Sequence, residues 1–199
     1  RGKEIAVSSV ATAMLAPKPG FTERDMEEMW DANCRVIRDV MEQASVSPQD
    51  IAGVAICGHG KGLYLWGKDG HPARNGIIST DNRAWEYPVR WRQDGTEAKV
   101  FARSCQHILA CQPVSLLAWL RDNEPDVMGN IRWVFECKDY VRFRMTGEAR
   151  AEITDYSGAN PIAMSGVANP GLSNVAATLL HLLGFEKPEE YDPSLITIG

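Results

Sequence analysis

The stretch Ile51-Ala52-Gly53-Val54-Ala55-Ile56-Cys57, followed by Gly58-His59-Gly60-Lys61-Gly62 and then Leu63-Tyr64-Leu65-Trp66, sets an apolar run, a glycine loop and a second apolar run in succession. The first run is small and branched, which suits a strand buried on both faces, and such strands carry helices packed over them. The second resumes as a strand before Lys68-Asp69-Gly70, a tight turn. Strand, glycine loop, strand and turn predict a hairpin. Residues 75–79 predict a third strand, which ends in Thr80-Asp81-Asn82-Arg83.

Upstream, Ile5, Val7 and Val10 predict a strand in the first ten residues, and Pro17-Lys18-Pro19-Gly20 breaks the chain. Asp25 with Glu28 three residues later has the form of a capping box. Met26, Met29, Trp30, Val36, Ile37, Val40 and Met41 then recur at helical spacing up to Ala44. Ser47-Pro48-Gln49-Asp50 reads as a turn. Downstream, residues 84–120 read as helical with breaks at Pro88, Gly95 and Pro113, and the pattern stops before Glu124-Pro125. Residues 131–135 predict a short strand, residues 138–145 a helix closed by Thr146-Gly147, and residues 173–183 a last helix. No composition shift marks a linker. The expected fold is one α/β domain with a mixed sheet flanked by helices.

The 199 residues carry 24% charged side chains and a net charge of −5, with no basic block longer than two residues. Counterion release needs clustered cations, so nucleic acid is an unexpected partner. No apolar run approaches the ~20 residues a bilayer requires, and the start lacks a secretory pattern, so the expectation is a cytoplasmic protein without a membrane partner. Cys34, Cys57, Cys105, Cys111 and Cys137 show neither Cys-x-x-Cys spacing nor a neighbouring His pair; they read as reduced thiols, mostly buried. His71, His107 and His181 have no companions at metal spacing. Trp85, Trp91, Trp119 and Trp133 read as core rather than as a stacking platform for sugars.

Phosphate-loop, nucleophile-elbow and zinc-protease motifs are all missing. Gly58, Gly60 and Gly62 alternate, unlike a dinucleotide fingerprint. Three glycines nonetheless let backbone approach a ligand, with His59 and Lys61 as donors beside it; the competing reading is a solvated hairpin loop. Asp81 and Arg83 follow a predicted strand end, where ligand sites of α/β sheets gather, though a surface ion pair explains them as well. The cations of Lys138-Asp139-Tyr140-Val141-Arg142-Phe143-Arg144 fit an amphipathic helix with Tyr140, Val141 and Met145 on its apolar side.

Four pieces in order resemble the FGGY family of carbohydrate kinases: Pro19-Gly20-Phe21-Thr22-Glu23-Arg24-Asp25 with Trp30; the strand and loop of residues 53–62; Ser79-Thr80-Asp81-Asn82-Arg83; and Lys138-Asp139-Tyr140 through Thr146-Gly147-Glu148 to Thr154-Asp155-Tyr156-Ser157. Within the family, Gly60-Lys61-Gly62-Leu63 resembles the loop of L-xylulose kinases, whereas D-xylulokinases carry Gln-Met-His-Gly. A cation at Lys61 also suits an acidic keto-sugar, because an ammonium pairs with a carboxylate.

The resemblance implies a ribonuclease-H-like, actin-like ATPase domain and ATP-dependent, magnesium-assisted phosphorylation of a ketose such as L-xylulose. The implied sugar contacts are His59, Gly60, Lys61, Asp81 and Arg83, with Gln112 from the loop before a helix. The family's phosphate-loop strand is expected before Arg1, and its base aspartate and nucleotide domain beyond Gly199. Asp81, Asp139 and Asp155 do not match the catalytic segment, so the expectation is a sugar-binding half with no catalytic residue of its own. A face left for the second domain would let such a half associate as a homodimer. The alternative is a non-catalytic sugar-binding or regulatory domain of the same fold.

Overall fold

A computed structural model describes residues 2–104, 106–152 and 155. The helix predicted after Asp25 is α1 (Met26–Ala44), and the Asp25 carboxylate accepts hydrogen bonds from the Glu27 and Glu28 amides at 2.8 and 2.9 Å. Only half of a capping box is built: Glu28 Oε1 accepts from the Ala13 amide rather than reaching back to Asp25. Residues Pro48–Asp50 form a single 3₁₀ turn closed by Ser47 and Asp50.

The strands are short. β1 (Glu23–Arg24) pairs antiparallel with β3 (Gly76–Ile77), and β2 (Tyr64–Gly67) pairs antiparallel with β4 (Ile131–Phe135). One bridge between Leu63 and Ile77, 2.8 Å in both directions, links the two pairs. The expected hairpin is therefore not formed. The partner of β2 is β4, in the register Tyr64 to Phe135, and residues 51–57 are largely exposed coil. An apolar run becomes a buried strand only beside another strand, and no described residue pairs with this one. The same reason applies to the first ten residues, where Ile5 and Val7 stand exposed without a ladder partner. Every strand pair among the described residues is antiparallel, so the sheet seen is less mixed than expected, while the α/β class holds.

α2 (Glu86–Gln93), α3 (Thr96–Ser104) and α4 (Pro113–Asn123) fill the region read as helical. Pro88 does not break it, since it is the third residue of α2, where its missing N–H would have found no intrahelical acceptor. A further short helix, α5 (Pro125–Asn130), was not expected. α6 (Cys137–Thr146) follows β4 and ends at Gly147 as read. The helix expected over residues 173–183 lies outside the described residues.

Side chains alternate across β2, as the pleat requires. Leu63 and Leu65 enter a core with Ile77, Ala84, Leu116, Leu117 and Leu120, while Tyr64 enters a second core with Met26, Met29, Phe135, Tyr140 and Val141. Two expectations about packing fail. Trp85 is half exposed, because it caps the start of α2 on the outside, and Met145 is likewise exposed near the end of α6. Of the four described cysteines none is fully buried, and Cys57 is exposed together with the coil that carries it. No helix of the described residues is long and apolar enough to cross a membrane.

Candidate functional site

The glycine loop is held from both sides. The Gly62 amide donates to the Cys111 carbonyl at 2.9 Å. Gly62 itself has φ +81°, and a Cβ there would meet the Ile77 carbonyl oxygen at 2.5 Å, so no other residue fits. Lys61, which is not glycine, also takes a left-handed φ of +65°. Its amide donates to Glu136 Oε2 at 3.2 Å, across 75 residues of sequence. His59 Nε2 lies 3.0 Å from the Tyr64 hydroxyl, in a hydrogen bond whose direction follows the imidazole tautomer. Burial lowers the His59 pKa from its ordinary value. Gly60 turns its Cα toward carboxylates, since a Cβ there would sit 3.6 Å from Asp155 Oδ1 and 3.8 Å from Glu136 Oε2.

Beneath the loop lies an acidic group. Glu136, at the exit of β4, is 2% exposed and does not use its carboxylate to cap its own helix α6. Lys138 donates to Asp155 Oδ1 at 2.5 Å, and Asp139 Oδ1 accepts from the Glu152 amide at 3.0 Å. Among the described residues Glu136 Oε1, Asp139 Oδ2 and Asp155 Oδ2 are buried without a hydrogen-bond partner. Burial, reinforced by the Asp155 charge, pushes the Glu136 pKa up to about 7. Burial likewise pushes Asp139 up to about 6, against the opposing charge of Arg142.

Asp81 and Arg83 form a different centre. The Arg83 side chain is fully buried, with Nη2 donating to Glu23 Oε1 at 2.7 Å and to Asp81 Oδ2 at 2.9 Å, and Nε to Asp81 Oδ1 at 3.0 Å. Asp81 also accepts from the Thr22 and Arg83 amides. The guanidinium lies 4.2 Å from the Phe21 ring centre and 5.2 Å from that of Trp119. Arg74 joins Glu23 to Glu124. Burial raises the Glu23 pKa, but the hydrogen bond from Arg83 and the charge of Arg74 outweigh it, leaving the carboxyl below its ordinary value.

His59, Gly60 and Lys61 are thus brought together over Glu136 and Asp155, while Asp81 and Arg83 are bound to each other in the interior. Gln112, at the start of α4, accepts from the Leu109 amide at 2.7 Å and adjoins Cys111, which anchors Gly62. The Cys111 thiol, pushed up by burial, feels both the Lys61 and the Asp81 charge, so the two centres flank the same residue. Sequence reasoning missed Glu136, Glu23 and Arg74. The available signal for Glu136 was a lone acid between the apolar strand Trp133-Val134-Phe135 and the first turn of the next helix.

Short antiparallel strands, helices on two cores and a glycine loop closed over buried acids make an α/β domain. The chain belongs to the FGGY family of carbohydrate kinases: residues 1–170 match the description "FGGY family of carbohydrate kinases, N-terminal domain". It is 38% identical over 164 residues to the L-xylulose/3-keto-L-gulonate kinase of Escherichia coli strain K12, covering 82% of this chain and 33% of that protein. It is 35% identical over 159 residues to a probable L-xylulose kinase of Pasteurella multocida, covering 80% of this chain and 33% of that protein. The fold is that of the xylulose kinase from Rhodospirillum rubrum, with a TM-score of 0.77 at 24% identity, covering 97% of this chain and 38% of that one. The chain spans about a third of the length of the curated relatives it matches.

Proposed function

We propose that this chain is the sugar-side domain of a kinase that transfers the γ-phosphoryl group of ATP to a ketose, with a pentulose such as L-xylulose as the expected substrate. The observation that carries the reading is the loop His59-Gly60-Lys61, fixed at a left-handed Lys61 over buried carboxyls in a chain 38% identical to an L-xylulose/3-keto-L-gulonate kinase. Each sugar hydroxyl taken from water must regain its hydrogen bonds, and the loop offers donors at His59, Lys61 and exposed amides. Asp81, Arg83 and Gln112 then serve the sugar by bracing the segments on either side of that loop. Lys61 would pair with the carboxylate of an acidic keto-sugar.

The described acids form no metal-binding cluster. Among the described residues no group of three His, Cys, Asp or Glu is spaced to hold a metal ion, and Lys138 already neutralises Asp155. The nucleotide, its magnesium and the general base would therefore be held by residues other than these. A non-catalytic binding domain is the competing outcome. The test is a coupled ADP-release assay on the full-length product of the parent gene, offering L-xylulose, D-xylulose, D-ribulose, L-ribulose, 3-keto-L-gulonate, erythritol and glycerol separately. Turnover with a ketose supports the reading; no turnover with any of them, in folded protein, overturns it.

A further inference from the structure

We propose that Glu136 is a positioning residue for substrate binding: it holds the Lys61 amide so that the loop stays in its left-handed, sugar-facing conformation, and its ionisation sets how firmly the loop is held. The inference rests on the sugar-kinase reading but names a residue outside the loop that this reading uses.

The geometry is direct. A non-glycine residue at φ +65° is held there only where the surroundings over-determine it. Two main-chain hydrogen bonds do so, from Gly62 to the Cys111 carbonyl and from Lys61 to Glu136 Oε2, and the second is the only one of the pair that depends on a side chain. Glu136 is the N-cap residue of α6, where a side chain commonly turns back to an amide of its own helix. Here it makes no such bond and crosses to Lys61 instead. Its Oε1 is buried, with no partner among the described residues, and a proton can reside there.

A carboxylate accepts from an amide more strongly than a neutral carboxyl does. Ionised Glu136 therefore grips Lys61, and protonated Glu136 lets the loop relax. The groups facing it are Asp155, Asp139 and Lys138 beside α6, with the Lys61 amide above. Behind these stand Arg142 and Glu152 on Asp139, and Arg24 and His59 on the Cys137 and Lys138 side. Burial and the Asp155 charge bring the Glu136 transition into the neutral range. His59 is shifted the other way by its burial, to lower pH.

The experiment compares the full-length wild type with Glu136→Gln and Glu136→Leu. Two quantities are read between pH 5.5 and 8.5: KM for the preferred ketose, and amide hydrogen exchange of the peptide spanning residues 58–63, corrected for intrinsic rate. Wild-type KM is expected to fall, and protection to rise, as pH increases through about 7. Glu136→Gln keeps an acceptor but not the charge, so both pH steps flatten. Glu136→Leu removes the acceptor, raising KM about tenfold with kcat little changed. A pH step in KM that survives in Glu136→Gln, or a Leu variant with wild-type KM and protection, overturns the inference and leaves the kinase reading standing. Absence of turnover with every sugar overturns the kinase reading, and the exchange measurement still decides whether Glu136 holds the loop.

Discussion

The chain buries two clusters of carboxylates and treats them in opposite ways. Around Arg83, Glu23 and Asp81 are met by two guanidiniums and by main-chain amides, and Glu23 is pulled below its ordinary pKa. Around Glu136, three acids share one ammonium and one guanidinium and leave three oxygens unpartnered among the described residues; Glu136 and Asp139 are pushed up to about 7 and about 6. The carboxylates of the first cluster are each met by a guanidinium, although Arg83 Nη1 is itself buried without a partner among the described residues, whereas in the second it is three carboxylate oxygens that are left short. The first cluster braces; the second lies under the glycine loop.

Removing the brace has the largest expected effect. Arg83→Met leaves Asp81 and Glu23 buried without their shared cation and should cost about 3–5 kcal/mol, read as a fall in the urea midpoint. Arg83→Lys should recover only part of this, since a single ammonium cannot reproduce the fork that spans both carboxylates. Gly62→Ala comes next, at about 2–4 kcal/mol, because its Cβ would collide with the Ile77 carbonyl at an unfavourable φ.

The two clusters should also diverge with pH. Between the ordinary glutamate value of 4.5 and about 7, folded Glu136 holds a proton that the unfolded chain releases, so stability falls as pH rises through that window. Glu136→Gln should flatten that slope in a series of urea titrations. Glu23 has the reverse sign: its contribution is present above 4.5 and is lost as pH falls through its lowered folded value. The smallest effect on stability is expected from Lys61→Met, within about 0.5 kcal/mol for a partly exposed side chain. The same variant should raise KM for 3-keto-L-gulonate about tenfold while changing KM for a neutral ketose less.

Much of this architecture was legible wherever local pattern decides it. α1 announces itself through Asp25 and the spacing from Met26 to Met41, and β4 and α6 follow directly from Ile131-Arg132-Trp133-Val134-Phe135 and Thr146-Gly147. What failed depended on distant partners. Residues 51–57 have the composition of a buried strand, but composition does not supply the neighbour that would bury them. The pairing of Tyr64 with Phe135 joins residues that no hairpin rule connects. The loop itself was readable from its glycines. Its support was not, since Glu136 meets Lys61 across 75 residues and Arg83 meets Glu23 across 60. Asp81 and Arg83 could be marked as candidates from their place after a strand, but nothing in sequence spacing reveals that they pair with each other and with Glu23.

The division between a brace and a proposed binding loop is tested most directly by hydrogen exchange on the full-length protein with and without saturating L-xylulose. The expected result is added protection in residues 58–62, centred on the Lys61 amide, with residues 81–83 already protected and unchanged. Protection gained at residues 81–83 while residues 58–62 exchange as before would contradict it.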